Sequence, residues 1–328
     1  MEYRELGRTG LAVSRLGLGG LFVSKVGGPY EQARAAVHRA IELGINYLDT
    51  APGYLDSEEV LGRALADVDA PLVLSTKLGG RPQPFNAQDP DQLYASFEES
   101  LRLLGRDYVD MLIIHEPDRP GQYDWWADKA SFDGPVMDVL AQLRDQGRIG
   151  YLGLGGTTAY ELARIIRTGK FDVVLTAFNY SLLWREAENE VLPAAVEQGM
   201  GIIAGSPLQQ GALSRRYDDQ VRHGAPWLSK PRREQYLKLY ALLDELEMPI
   251  AELAMRFVLS NPAVDTVLTG ARSALEVEQN VATLDKGPLP SDVLARLDEI
   301  AAMVPFRPFE EPFGLPFGRP YAGPGPAA

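Results

Sequence analysis

Asp49, Tyr54, Lys77 and His115 stand at the ends of three short apolar runs, and together they have the chemistry of a proton donor. Asp49 and Tyr54 belong to Asn46-Tyr-Leu-Asp-Thr-Ala-Pro-Gly-Tyr54, Lys77 closes Leu72-Val-Leu-Ser-Thr-Lys77, and His115 closes Met111-Leu-Ile-Ile-His115. A free phenol titrates near pH ~10, too high for easy proton exchange at neutrality. An ammonium beside it favours the phenolate and lowers that value. Lys77 is expected to act so on Tyr54, with Asp49 paired to Lys77 and His115 hydrogen-bonding the substrate oxygen. Tyr54 would then give a proton to a carbonyl oxygen receiving hydride, or take one from an alcohol losing it. Taken singly, each residue also has a plain structural reading: loop tyrosine, solvated lysine, helix-entry aspartate, structural histidine.

The elements that must position these groups follow a regular order. Apolar strand candidates at 16–20, 45–49, 72–77, 108–115, 151–155, 173–178, 201–206 and 264–269 alternate with amphipathic helices. The helices are predicted near 30–44, 57–69, 90–104, 133–147, 159–168, 186–199, 231–246, 250–260 and 273–284. Continuous Val/Ile/Leu runs suit a parallel sheet buried on both faces. Eight βα units predict an α/β fold, a closed (β/α)8 TIM barrel. One domain over 1–328 is expected. Its N-terminal hairpin, 1–15, plugs the floor of a barrel spanning 16–284, and a C-terminal helix near 291–303 and an extended tail fill 285–328. In such a barrel chemistry gathers where the strands' C-terminal ends meet, and Asp49, Lys77 and His115 all fall there.

Composition removes several classes. The 328 residues are 45% apolar and 23% charged, as in globular proteins, and no stretch reads as a membrane span. A net charge of −13 argues against nucleic acid as a partner. With no cysteine and three histidines (His38, His115, His223), disulfides, thiol nucleophiles and a histidine-built metal site are not expected. The N-terminus lacks a signal-peptide pattern, so a cytoplasmic location is expected, with self-association left open.

Asp49-Thr-Ala-Pro-Gly-Tyr54, then Ser57-Glu-Glu-Val-Leu-Gly62, with Lys77 and His115 beyond, resembles the aldo-keto reductase superfamily. That resemblance implies a (β/α)8 barrel, a catalytic tetrad of Asp49, Tyr54, Lys77 and His115, and a nicotinamide cofactor. Gly205-Ser-Pro-Leu-Gln-Gln-Gly-Ala-Leu213 is similar to the family's segment over the pyrophosphate, which implicates Ser206, Pro207, Leu208 and Gly211. Backbone N–H groups there suit phosphate oxygens. Tyr180 matches the aromatic that stacks on the nicotinamide. Gly270, Ala271, Arg272, Glu276, Gln279 and Asn280 match the segment holding the adenosine end, at a helix N-terminus.

Two departures stand out. Where many members carry Ser-Asn for the carboxamide, this chain has Gly155-Gly156-Thr157, with Thr157 as the substitute. Glu276 replaces an arginine that often meets the 2′-phosphate, and a carboxylate there leans the cofactor toward NAD over NADP, with Arg272 close enough to oppose it. The two Gly-Leu-Gly-Gly stretches, 17–20 and 153–156, complete no Gly-x-Gly-x-x-Gly fingerprint and are read as points of close backbone approach. Trp125 and Trp126, after His115, are candidate sugar-stacking faces or loop anchors. His115-Glu-Pro-Asp118 resembles the fucose, galactose and threo-aldose 1-dehydrogenases. Small-molecule carbonyls or sugars are therefore the expected partners. Oxidation of an aldose at C1 to a lactone stands slightly ahead of aldehyde or ketone reduction. A cofactor-binding regulatory subunit without turnover is the alternative of another class. Phe306, Phe309, Phe313 and Phe317 in the tail are expected to pack along the barrel mouth or on another subunit, and 322–328 to be disordered.

Overall fold

The computed structural model describes residues 1–81, 83–119, 123–225 and 228–305. Tyr3–Glu5 (β1) and Ala12–Ser14 (β2) pair antiparallel, Tyr3 opposite Ser14. Eight parallel strands follow: Leu16–Gly19 (β3), Tyr47–Asp49 (β4), Val73–Leu78 (β5), Val109–His115 (β6), Ile149–Gly156 (β7), Val173–Ala177 (β8), Gly201–Gly205 (β9) and Thr266–Gly270 (β10). Each pairs with the next in sequence, and β10 closes on β3, which gives the (β/α)8 barrel. The tail residues 306–328, including the four phenylalanines expected at the mouth, lie outside the described residues.

Local chemistry sets the helix ends. Pro90 opens the helix Pro90–Leu104, where its missing N–H costs nothing; the Asp89 side chain accepts from Asp91 N (3.0 Å), and Gly105 terminates it at φ 62°. The helix predicted at 186–199 is broken into Glu186–Asn189 and Val191–Glu197. Pro193 is the reason: proline is tolerated only in a helix's first turn, so a new helix must begin just before it. A short helix, Asp218–His223, lies in the loop after β9, where no periodicity marked it. Among the described residues no helix is long and apolar enough to cross a membrane.

The hairpin closes the barrel floor. Leu6 and Val13 join Tyr47, Val73, Met111, Ile113, Val173, Leu175, Ile203 and Leu268 in the cluster that fills the interior. Gly7 (φ 49°) lies so close to β9 that a Cβ there would be 2.1 Å from Gly201 N. Buried Arg15 donates to the Val264 and Asp265 carbonyls and, at 2.7 Å, to Leu259 O. Burial, with Arg4 nearby, lowers its pKa to about 10, still charged at neutrality. That guanidinium ties the start of β3 to the turn entering β10.

Strand register decides what reaches the mouth. Asp49 pairs with Gly19 and Ser75, Lys77 with Ile113, His115 with Gly155, Ala177 with Gly205, and Gly270 with Gly19. Residues paired across parallel strands share a face, and alternation along each strand fixes the inward set. The last inward residue of each strand is therefore Gly19, Asp49, Lys77, His115, Gly155, Ala177, Gly205 and Gly270. Three adjacent strands carry all the polar chemistry. The other five present four glycines and one alanine, and the Phe22 ring packs on the last of them, Gly270.

Candidate active site

Lys77 Nζ donates to Asp49 Oδ1 (2.8 Å) and Oδ2 (2.6 Å), to Thr50 O (2.7 Å) and to the Tyr54 phenol. The two charged side chains are only 1% and 3% exposed. Burial works against the ammonium, yet Asp49 and Tyr54 outweigh it and its pKa is raised. Tyr54 follows the Pro52-Gly53 turn, its N–H bonded to Ala51 O, and its ring meets that of His115 edge-on at 5.8 Å. The four residues thus converge as the sequence predicts.

One expectation is corrected. The phenol of Tyr54 is raised, not lowered: burial is the largest influence, Lys77 offsets it in part, and Asp49 and Glu116 add to the rise. Tyr54 is accordingly a neutral phenol that keeps its proton in the free protein. His115 is driven to about 3 by burial first and then by Lys77 and Arg119, so its imidazole is neutral at working pH. A neutral imidazole still offers one donor nitrogen to a substrate oxygen.

A second layer supports the tetrad. Ser75 Oγ donates to Asp49 Oδ1 (2.7 Å) and lies 3.0 Å from the buried Tyr47 hydroxyl. Ser57 Oγ donates to Gly20 O (2.7 Å) and accepts from Thr50, which fastens the Tyr54 loop to β3. Buried Glu58 accepts from Thr76 Oγ1 (2.6 Å) and Arg81 (2.7 Å), which anchors the loop after Lys77. Sequence reasoning missed Ser75 and Tyr47. Ser75 stands two residues before Lys77 and Tyr47 two before Asp49, so strand alternation was the available signal.

The cofactor candidates are less uniform. Asp118 accepts from the backbone N–H groups of Thr157 (2.7 Å) and Thr158, at the start of the helix Ala159–Ile166. Burial still pushes its carboxyl up to about 6. Sequence reasoning quoted Asp118 in a motif but gave it no role, and it fixes the position of Thr157. Thr157 Oγ1 is buried with no partner among the described residues, so a hydrogen-bonding group of a ligand would satisfy it. At Gly155 a Cβ would lie 3.0 Å from Ile113 Cγ2 and 4.0 Å from Lys77 Cε, so the strand packs bare backbone tightly against its neighbours beside the tetrad. Gly156 faces the opposite way, toward Leu162 and Asp118.

After β9, Ser206 (φ 58°), Gln209 (47°), Gln210 (53°) and Gly211 (93°) take positive-φ conformations on either side of Pro207 and Leu208. Among the described residues every non-glycine with positive φ except Glu247 lies in a loop leaving a barrel strand at the mouth: Leu55, Glu116, Phe132, Phe178, Ser206, Gln209 and Gln210. Such conformations cost about 1–3 kcal/mol each and cluster where function holds them.

After β10, Ser273 caps the helix Ala274–Leu284, while Glu276 Oε2 accepts from Arg272 N (2.8 Å) and Oε1 lies 3.5 Å from Arg272 Nε. Arg272 also lies over the Phe22 ring, 5.5 Å from its centre. Ala271 is buried, Gly270 and Gln279 are exposed and Asn280 is half-buried.

Two expectations fail on packing. Tyr180 does not face the mouth: it is buried in the helical layer, 5.6 Å from the Phe257 ring, and its hydroxyl accepts from Asn261 Nδ2 (2.9 Å). The inward residue of β8 is Ala177, so no aromatic stacks from Tyr180. Trp126 is an anchor and not a sugar platform, because its indole donates to Pro117 O (3.1 Å) and its ring packs on Phe132. Trp125, 1% exposed, is likewise a wall, seated against Phe85 and Tyr123 and not turned to solvent. The aromatics of this loop cluster that retain exposure are Phe85 and Tyr123.

Comparison with known proteins decides the family. The sequence pattern of the Aldo/keto reductase family matches residues 15–302. The chain belongs to that family. L-galactose dehydrogenase of Arabidopsis thaliana is 30% identical over 298 residues, covering 87% of this chain and 88% of that one. NADH-specific methylglyoxal reductase of Escherichia coli is 28% identical, covering 87% and 94%. In three dimensions the chain is similar to an aldo-keto reductase from Bacillus halodurans in its holo form, with TM-score 0.76, 26% identity and coverage of 95% and 99%. This aldo-keto reductase is therefore an NAD(P)-dependent oxidoreductase acting on a small molecule.

Proposed function

We propose that this aldo-keto reductase oxidises an aldose at C1 to the lactone, with NAD as the preferred cofactor and Tyr54 as the proton carrier. The observation that carries the reaction type is the buried chain Ser75–Asp49–Lys77–Tyr54 ending beside neutral His115. Residues fit to hold the cofactor are Gly155 and Thr157 at the nicotinamide end, the coil Ser206–Gly211 at the pyrophosphate, and Arg272 and Glu276 at the adenosine end. A bound nicotinamide supplies hydride transfer; the protein's own groups do the rest.

His115 donates to the substrate oxygen and fixes its direction. Tyr54 gives its proton to that oxygen in reduction and takes it in oxidation. Lys77 stabilises the phenolate that forms in the first case, and Asp49 keeps Lys77 charged and in place. The bare mouth formed by Gly155, Ala177 and Gly205 admits a flat ring beside the reacting oxygen.

The sugar reading is supported by the L-galactose dehydrogenase relative and by acidic acceptors at the mouth. Aldehyde reduction is the second reading, favoured by the methylglyoxal reductase relative. The NAD preference is supported by Glu276, which neutralises Arg272 where a 2′-phosphate would need it free. A panel of pentoses and hexoses, assayed with NAD and NADP, tests all three points. No aldose turnover alongside ready aldehyde reduction excludes the sugar reading. Tyr54→Phe is expected to abolish turnover and keep cofactor binding, and retained activity would remove Tyr54 from its role.

A further inference from the structure

The sequence motif after the catalytic histidine leaves Glu116 and Arg119 unassigned, and the structure sets both at the mouth. Glu116 follows His115 directly and takes a left-handed conformation at φ 52°, with its N–H bonded to Gly155 O (2.6 Å). Arg119 Nη1 lies 3.0 Å from both oxygens of the Glu116 carboxylate, which is 12% exposed against 39% for the arginine. The pair reaches the reacting groups electrostatically: Glu116 acts on the Tyr54 phenol and Arg119 on His115. An ion pair three residues apart at a partly wet rim adds little to stability, so it does not repay a strained backbone. On the loop after β4 stands Leu55, 45% exposed, and the Tyr123 hydroxyl, on the same loop as Glu116, lies 3.3 Å from where a Cβ on Gly80 would be, with the Gly53 backbone also near that point. The loops leaving the adjacent strands β4, β5 and β6 therefore set apolar and aromatic groups together with a fixed acceptor and a fixed donor.

We infer that Glu116, held by Arg119, is a hydroxyl-reading subsite that accepts a hydrogen bond from the hydroxyl on the carbon next to the reacting carbon of an aldose. This rests on the sugar reading above and narrows it to polyhydroxylated substrates. A shielded charged acceptor rejects the analogue lacking that hydroxyl, because its lone pairs then go unpaired.

The test compares kcat/KM for the aldose that turns over best with kcat/KM for its 2-deoxy analogue. The native enzyme is expected to favour the hydroxylated sugar by at least a hundredfold, and Glu116→Gln to cut that ratio at least tenfold. A ratio is blind to any general effect on Tyr54 or His115. Arg119→Met, which leaves the carboxylate unheld, is the second variant and is expected to lower the ratio as well. An unchanged ratio in both variants overturns the subsite, as does a native enzyme indifferent to the hydroxyl, or loss of both substrates together in both variants. A native enzyme that oxidises no aldose yet reduces 4-nitrobenzaldehyde overturns the sugar reading itself and the subsite with it.

Discussion

Replacing Asp49 by asparagine tests how the tetrad is held together. With Asp49 Oδ2 at 2.6 Å from Lys77 Nζ, an effective dielectric of ~20 gives an attraction of about 6 kcal/mol. Removing each ion from water costs several kcal/mol, so the intact pair nearly cancels. The Asp49→Asn amide keeps the shape and removes the compensating charge, and the ammonium remains 1% exposed with neutral partners alone beside it: the amide oxygen, the Thr50 carbonyl and the phenol. The expected loss is about 3–5 kcal/mol, a large part of a total near 5–15 kcal/mol. The pH dependence should also change. In the native protein the folded pKa of Lys77 is raised, so its contribution is full below ~10.4 and is lost as pH climbs through the higher folded value. In Asp49→Asn the uncompensated ammonium titrates below ~10.4, so stability rises with pH between its folded pKa and that value. Urea unfolding followed by tryptophan fluorescence at pH 7.5 and 9.5 measures both effects. The double variant Asp49→Asn/Lys77→Met removes the stranded charge and is expected within about 2 kcal/mol of native. The reasoning is refuted if the single variant loses under about 1 kcal/mol, or if the double variant is no more stable than the single one.

Three further outcomes are expected. With His115 held near 3 against a free value of 6.5, acid costs stability as pH falls from about 6.5 toward 3, and His115→Gln should flatten that slope; a limb near pH 6.5 in the native pH–rate profile that His115→Gln removes would contradict a neutral imidazole. Gly155→Val presses side-chain carbons onto Ile113 and toward Lys77 and should weaken cofactor binding at least tenfold (about 1.4 kcal/mol) by fluorescence titration, and unchanged binding would deny Gly155 a part in the cofactor site. Glu276→Ala removes the carboxylate held against Arg272 and should move the NADP-to-NAD ratio of dissociation constants about tenfold toward NADP, whereas no movement would deny the pair its role in cofactor choice.

The sequence made the barrel legible because each strand is a continuous apolar run bounded by a turn, and it made the tetrad legible because each member ends such a run. Side-chain direction was harder to read. His115 is the last residue of β6, whereas Tyr180 lies beyond the end of β8, and the left-handed Phe178 turns the chain before it reaches Tyr180, whose ring packs against Phe257. Trp125 and Trp126 read as sugar-stacking faces or loop anchors with nothing local to choose between them, and the packing against Phe85 and Phe132 decides for anchors. The rise in the Tyr54 pKa depends on burial, which no spacing of residues encodes. Ser75 was readable from strand alternation alone, and its neutral hydroxyl drew no notice beside three ionisable neighbours.

The plugged floor has a consequence for the order of assembly. Arg8 bonds the Gln198 carbonyl, Arg4 that of Pro262 and Arg15 those of Leu259 and Asp265, so the first fifteen residues find their partners some 190 to 260 positions downstream. Contacts that distant in sequence form slowly, since a long loop must close before they stabilise anything. The hairpin segment is thus seated only after synthesis has passed its partners at residues 259–265. Closure of β3 on β10 and seating of the hairpin become one event, and a fluorophore on the hairpin would report the moment the barrel is complete.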